Sequence, residues 1–218
     1  MALSGPPVAD DGEIFDRFFD PQFSPLHLDV PENQLVVYNT VKKRASLQIK
    51  HPKTGAIKMD KTTLVIYIDG ATRDAGTRDA RASWSVYFGP QSCYNSRGLL
   101  DPKLPQTGRR AEIAALSKAL DKLEHIIACD LHLQEIYFVS DSPYLVRAMV
   151  ELIDGWIENR GRTEEGQKVP HYEALKTIHE RIDELTYGDE GGVDFKFWLV
   201  PPQKNRNAHA FANSVFNH

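Results

Sequence analysis

Apolar residues occur along this chain in two patterns, as short continuous runs and as longer stretches with helical spacing. The runs TTLVIYID and LQEIYFVSD have the length of a strand and end in aspartate, as expected for strands buried on both faces. RASWSVYFG, the region from Tyr94 to Leu100 and VDFKFWLV add three further strand candidates. We therefore predict five strands in one sheet.

Helical spacing appears after the turn-like segment DPKLPQTG, where apolar residues recur at three- and four-residue steps from Ile113 to Ile127. SPYLVRAMVELIDGWI, the stretch from Tyr172 to Leu185 and a short segment around Ala208 predict three more helices. The resulting order is β-β-β-α-β-α-α-β-α. It predicts an α/β fold with a five-stranded mixed sheet flanked by helices.

Residues 1–61 lack this succession of strands and helices, and we predict that they form an N-terminal extension to a domain over residues 62–218. The first 30 residues mix Pro, Asp and Phe without periodicity, which predicts an extended arm that docks its aromatic side chains elsewhere. QLVVYNT and ASLQIKH resemble short strands that could pair as a hairpin. Residues 1–40 carry seven carboxylates against one arginine, whereas residues 41–61 carry six lysines and one arginine against one aspartate. A solvated surface is the simpler interpretation of such a charge run.

Composition narrows the class of protein. The hydrophobic share of 41% and the charged share of 26% are typical of folded proteins and argue against wholesale disorder. The chain has no apolar run of membrane-spanning length, and its N-terminus lacks the features of a secretory signal, so we expect an intracellular protein of the nucleus or cytoplasm. Cys93 and Cys129 have no zinc-site spacing and are expected to be buried thiols. A net charge of −4 argues against binding nucleic acid by bulk charge alone.

Three carboxylates are expected to meet at one edge of the sheet. Asp69 and Asp141 end two strands, and Glu112 lies near the start of the helix between them. Parallel strands present their carboxyl ends together, and crowded carboxylates need cations to neutralise them. Oxygen ligands suit Mg²⁺ or Mn²⁺, and two such ions about 3.5–4 Å apart can activate water and stabilise a departing phosphodiester oxygen. Taken singly, each residue also fits a local role in a turn, a helix cap or a solvated first turn.

Around these carboxylates the chain resembles the ribonuclease H family, specifically the catalytic domain of the eukaryotic type 1 enzymes. The matching segments span about residues 64–216 and are YIDGATRDAGTRDARASWSVYFGP, QTGRRAEIAAL, IYFVSDSPYLV with the following Trp156, and WLV with NRNAHAFA. The resemblance implies a ribonuclease H-like fold in which Asp69, Glu112 and Asp141 bind two metal ions. It also implies that substrate contacts come from Thr107, which helps to hold a phosphate of the DNA strand, and from Arg109, Arg110 and Asn205. A role in surface solubility fits the two arginines nearly as well.

The last motif departs from the family pattern. The family reads Asn-Glu-x-Ala-Asp-x-Leu-Ala where this chain has NRNAHAFA, which aligns His209 with the fourth aspartate. A neutral imidazole can ligate a divalent metal or position a water, so His209 is a candidate fourth ligand. We expect weaker Mg²⁺ binding and relatively better performance in Mn²⁺. The alternative is a helix histidine with no catalytic task.

Three further departures concern the substrate. The segment PPQK lacks the loop histidine that assists product release in the family, and Pro143 replaces a common hydrogen-bonding glutamine. Residues 158–168 contain three glutamates where many relatives have a basic handle. We therefore expect this segment to contribute little affinity for a hybrid, unless the basic stretch from Lys42 to Lys61 replaces it.

The resemblance implies a metal-dependent endoribonuclease that hydrolyses the RNA strand of RNA/DNA hybrids, with two Mg²⁺ or Mn²⁺ ions, to 5′-phosphate and 3′-hydroxyl ends. Asp69 and Asp141 would hold the metals, Glu112 would hold the second ion and contact the 2′-hydroxyl, and His209 would complete the first. Recognition would rest on minor-groove shape and 2′-hydroxyls. One alternative is a catalytically impaired ribonuclease H-fold module that binds nucleic acid or protein. Another is a nuclease for double-stranded RNA or branched DNA.

Overall fold

The computed structural model describes Val8 and residues 15–51, 53–187 and 192–217. Within these ranges the strands are β1 (Phe18–Phe19), β2 (Val36–Asn39), β3 (Arg44–Lys50), β4 (Ile57–Met59), β5 (Thr63–Arg73), β6 (Arg81–Tyr87), β7 (Ser96–Leu99), β8 (Glu135–Ser140) and β9 (Asp194–Leu199). The helices are α1 (Gly108–Cys129), α2 (Pro143–Arg147), α3 (Ile153–Glu158), α4 (Tyr172–Tyr187) and α5 (Pro202–Asn213). A π-helical segment, Ala148–Leu152, joins α2 to α3.

The five predicted strands form the centre of a mixed sheet in the order β7-β6-β5-β8-β9. Strands β5, β8 and β9 are parallel to one another, whereas β6 is antiparallel to both of its neighbours, β5 and β7. Tyr67 of β5 lies beside Val139 of β8. Asp69 and Asp141 each follow two residues later, so the two aspartates lie at the same level of the sheet. The predicted α/β class and mixed sheet are confirmed.

The N-terminal extension adds strands at two places. Strand β1 pairs in parallel with β9, and the predicted β2–β3 hairpin is confirmed, since Val36 lies opposite Leu47. The hairpin joins β5 where Ala45 pairs with Val65, and β4 adds to β3. The division at residue 61 stays a prediction, but the described part of the extension belongs to the same sheet as the rest of the chain.

Two apolar layers cover the sheet because alternate residues of each strand point to opposite faces. Leu64, Ile66 and Ile68 of β5 pack in the layer formed with α1, α2, α3 and α4. Val65 of β5 packs in the opposite layer with Phe19 and Leu35 of the extension. Phe19 contacts Tyr137 and Trp198 edge-on, with ring centroids 4.5 Å and 5.4 Å away. The arm therefore docks its aromatic side chain on the face that the helices α1 to α4 leave open.

One expectation about single residues was wrong. Cys93 and Cys129 are both exposed, because Cys93 lies in the loop after β6 and Cys129 ends α1 on its solvent side. Among the described helices, none combines the length and the apolar character that crossing a membrane requires.

Candidate metal centre and cationic cleft

Asp69 lies on the face of β5 that packs against α5, and it is only 6% exposed. Its Oδ1 accepts the backbone N–H of Gly70 at 2.7 Å, and its Oδ2 lies 2.8 Å from Nδ1 of His209. Burial and, to a smaller extent, the charge of Asp141 raise the pKa of Asp69 to about 6, although His209 and the N–H of Gly70 act to lower it. The carboxylate is therefore held in an environment that disfavours its charge unless a cation is near.

Glu112 reaches this site because Gly70 has no side chain. A Cβ atom at Gly70 would lie 2.5 Å from the backbone nitrogen of Glu112 and 2.7 Å from the Cβ of Ala111. Such distances are too short for real Cβ contacts, so a larger residue at position 70 would push α1 away from β5. Because β5 continues to Arg73, Asp69 and Gly70 lie inside the strand and not in a turn after it. Gly70 serves helix packing here, and this packing brings Glu112 towards Asp69.

The carboxylate of Glu112 accepts a hydrogen bond from the hydroxyl of Ser142. Burial raises the pKa of Glu112 to about 7, and the charges of Asp69 and Asp141 raise it as well. The hydrogen bond from Ser142 opposes that shift. Because the charge of one carboxylate raises the pKa of another only when the two are close, the three carboxylates form one electrostatic cluster.

Asp141 is oriented by Asn205 of α5. The side-chain Nδ2 of Asn205 donates to Oδ1 of Asp141 at 2.7 Å and to the carbonyl oxygen of Ile68 at 3.0 Å. Asn205 is completely buried, so the direct substrate contact expected for it does not fit the structure. It instead ties α5 to β5 and to the residue that follows β8. Its position at the start of the last motif was visible in the sequence, but its burial was not.

His209 follows Asn205 by four residues on α5 and leaves 60% of its side chain exposed. Its Nδ1 faces Asp69, and its Nε2 lies 3.0 Å from Nδ2 of Asn213. The residue aligned with the family's fourth aspartate is therefore next to the carboxylate cluster.

The donor set suits a hard divalent cation, because carboxylate oxygens are the ligands that Mg²⁺ and Mn²⁺ prefer. In the part of the chain that the structure describes, no group of three or more His, Cys, Asp or Glu side chains is arranged to hold a metal ion as it stands. Each carboxylate of the cluster accepts a hydrogen bond from a protein group, which orients it and leaves further oxygen lone pairs for an ion.

A cationic cleft of about 630 Å³ lies beside the N-terminus of α1. The cationic side chains that line it are Arg110, Arg160, Arg162 and Lys168, with His171 beside them. Burial lowers the pKa of His171, and the charges of Arg110 and Arg109 lower it further. The glutamates of residues 158–168 do not line the cleft, so this segment presents cations, in contrast to the weak basic character that the sequence indicated.

The other predicted substrate residues lie around the start of α1. Thr107 is the exposed N-cap, and its Oγ1 accepts the backbone N–H of Arg110 at 3.3 Å. The guanidinium of Arg109 stacks on the ring of Tyr144, 4.5 Å from its centroid. Thr107, Arg109 and Arg110 therefore lie on one surface that continues into the cationic cleft.

The basic stretch from Lys42 to Lys61 is partly neutralised within the protein. Lys42 and Arg44 both pair with Asp130 at the end of α1, and Lys50 lies 3.3 Å from Asp29. Arg44 is almost completely buried, so its charge is not available to a polyanion.

Comparison with known proteins gives consistent matches to one family. The sequence profile described as RNase H matches residues 61–194. Ribonuclease H1 of Rattus norvegicus is 31% identical over 141 residues, which cover 64% of this chain and 44% of the rat protein. Ribonuclease H of Paracidovorax citrulli (strain AAC00-1) is 30% identical over 153 residues, which cover 69% of this chain and 91% of that protein.

Among solved structures, LC11-RNase H1 in complex with RNA/DNA hybrid superposes with a TM-score of 0.51 and 19% identity. The superposition covers 70% of this chain and 96% of the other, and at this identity it shows the shared fold. The match to the rat protein spans less than half of that relative's length. The profile match, the pairwise matches and the fold agree, and the chain therefore belongs to the RNase H family.

Proposed function

We propose that this protein is a metal-dependent endoribonuclease that hydrolyses the RNA strand of RNA/DNA hybrids. The observation that carries the proposal is the cluster of Asp69, Glu112 and Asp141, where burial and the charges of the neighbouring carboxylates raise the pKa values of Asp69 and Glu112. Its relatives support the substrate class, since one is named ribonuclease H1 and a structural neighbour was solved with an RNA/DNA hybrid.

In this proposal Asp69, Glu112 and Asp141 hold two Mg²⁺ or Mn²⁺ ions, and His209 lies beside Asp69 as the fourth residue of the site. The ions supply Lewis acidity, a nucleophile at neutral pH and neutralisation of charge on the phosphate. The protein's part is to orient the carboxylates. Gly70 and His209 direct the oxygens of Asp69.

The nucleic acid would lie along the start of α1. The cationic cleft attracts phosphates through charge, independently of sequence. The Oγ1 of Thr107 accepts a backbone N–H, so its hydroxyl hydrogen remains available to a phosphate oxygen. Arg109 is held on Tyr144 in a fixed orientation, which reduces the entropy lost when it binds an anion. Glu112 is the carboxylate closest in sequence to this surface and is the proposed contact for the RNA 2′-hydroxyl.

A second candidate function is a nucleic-acid-binding module without catalysis. Two observations favour it. His209 replaces the fourth acid, and among the described residues no group of three or more His, Cys, Asp or Glu side chains has the geometry of a metal site. Retention of three clustered carboxylates argues against it, because their mutual repulsion has no benefit for a protein that binds only polyanions.

The two candidates are separated by a cleavage assay. Labelled RNA/DNA hybrid, double-stranded RNA and single strands are incubated with the protein in Mg²⁺ and in Mn²⁺, alongside Asp69→Asn. Asp79→Asn, at an exposed loop position, is the matched control. We expect metal-dependent cutting of the RNA strand of the hybrid that is lost only in Asp69→Asn. Binding without cutting in either metal would support the module and overturn the nuclease.

A further inference from the structure

Asn213 contacts two atoms of His209 at once. Its side-chain Nδ2 lies 3.0 Å from the carbonyl oxygen of His209 and 3.0 Å from Nε2 of the imidazole ring. The two residues are four apart on α5, which places them on the same face of the helix.

These two contacts define the hydrogen-bond roles. A carbonyl oxygen only accepts, so the Asn213 group that faces it must be the NH₂ and not the amide oxygen. The same NH₂ faces Nε2, which must then accept with its lone pair. In a neutral imidazole the other nitrogen carries the hydrogen, so Nδ1 of His209 donates to Oδ2 of Asp69, 2.8 Å away.

We propose that Asn213 is a positioning residue for the metal-binding carboxylate Asp69, acting through His209. Asn213 selects the Nδ1–H tautomer of His209, and that N–H fixes the orientation of Asp69. In this arrangement neither ring nitrogen offers a lone pair to a metal, so His209 supports the site as a hydrogen-bond donor. The part concerning metal binding rests on the proposed function.

This arrangement compensates for the missing fourth acid by fixing the orientation of Asp69. Asp69 has one oxygen held by the N–H of Gly70 and the other by His209, so its carboxylate plane is fixed from both sides. An aspartate at position 209 could not donate to Asp69. A donor that orients a metal-binding carboxylate typically affects metal affinity even though it does not touch the ion.

The tautomer is measured on the metal-free protein from the ¹⁵N chemical shifts of the His209 ring near neutral pH. Mn²⁺ affinity is measured by titration calorimetry on the same samples. The variants are Asn213→Leu, which keeps the side-chain size but removes the donor, and Asn207→Leu, the matched control at an exposed asparagine of α5. We expect the Nδ1–H form in the unmodified protein, a mixture of tautomers in Asn213→Leu, and an affinity for Mn²⁺ that falls by about 10-fold in that variant.

A second background tests the route through His209. The amide of His209→Asn can donate to Asp69 but has no tautomers, so adding Asn213→Leu should leave Mn²⁺ affinity unchanged there. An Nε2–H form in the unmodified protein would overturn the inference, and so would Asn213→Leu with unaltered tautomer and affinity. An unmodified protein that shows the Nδ1–H form but binds no Mn²⁺ would instead overturn the proposed function.

Discussion

The amide of Asn205, completely buried on α5, donates at 2.7 Å to the carboxylate of Asp141, which follows β8. The same nitrogen donates to the carbonyl oxygen of Ile68 in β5. One side chain therefore joins β5, which carries Asp69, to Asp141, the residue that follows β8.

Replacement of that side chain should affect both stability and the site. Asn205→Leu leaves the carbonyl of Ile68 without its donor and frees Asp141, at a cost of about 2–3 kcal/mol in the free energy of unfolding. Urea denaturation measures this loss, and the cleavage rate on the hybrid should fall with it. Asn207→Leu, at an exposed position of the same helix, should change neither quantity. Equal stability of both variants would contradict the role assigned to Asn205.

Close packing at Gly70 gives a second prediction. Gly70→Ala puts a Cβ within 2.7 Å of the backbone of α1, so the helix must shift and Glu112 must move with it. We expect a loss of about 1–3 kcal/mol, as for an overpacked core, together with weaker Mn²⁺ binding. Gly108→Ala is the control because, apart from its chain neighbours and the backbone of its own helix, no atom lies within 4 Å of its Cβ position. A wild-type affinity in Gly70→Ala would show that this contact does not position Glu112.

The raised pKa values predict how the metal-free protein responds to pH. Asp69 and Glu112 hold protons up to about pH 6 and 7 in the folded state, whereas unfolded carboxyls release them near pH 4. The folded state therefore binds more protons in this interval, and stability falls as the pH rises from about 4 to 7.

Asp69→Asn should remove part of that loss. Near pH 8 we expect the metal-free variant to be more stable than the unmodified protein by on the order of 2 kcal/mol, and near pH 4 the difference should vanish. Denaturation at the two pH values measures it, with Asp79→Asn as the exposed control. A variant less stable at both values would mean that burial of Asp69 carries no electrostatic cost.

The positive charge of the cationic cleft predicts that binding of the hybrid weakens as the salt concentration rises. Arg162→Gln combined with Lys168→Gln should weaken hybrid binding, and the slope of log affinity against log salt should decrease by about 1–2. Lys122→Gln, at an exposed position on α1, is the control and should leave both unchanged. An unchanged slope in the double variant would place the phosphates elsewhere.

Much of the candidate site could be predicted because its carboxylates lie on or beside strands and a helix that the spacing of apolar residues reveals. Asp69 lies on a buried strand, Asp141 follows the parallel strand beside it, and Glu112 lies in the first turns of an amphipathic helix, so the topology brings the three together. The strand that carries Asp69 was predicted to end there, but it continues to Arg73 because it stays paired with β6. The residue at position 209 was placed by the same logic, since its helix packs on β5.

The remainder depends on contacts that no local pattern contains. The cationic cleft collects Arg110 from α1 and Lys168 from a loop whose own sequence is rich in glutamate. Phe19 docks on residues more than a hundred positions away, and Arg44 is buried by a pair with Asp130. Asn205 is likewise buried because α5 packs against β5 and beside Asp141.

Calorimetric titration of Mn²⁺ into the unmodified protein and into Asp69→Asn, Glu112→Gln and Asp141→Asn tests the central claim most directly. If the three carboxylates share the ions, every one of these variants should lose most of its affinity, while Asp79→Asn retains it. Unchanged Mn²⁺ affinity in all three variants would contradict the metal centre and, with it, the proposed nuclease.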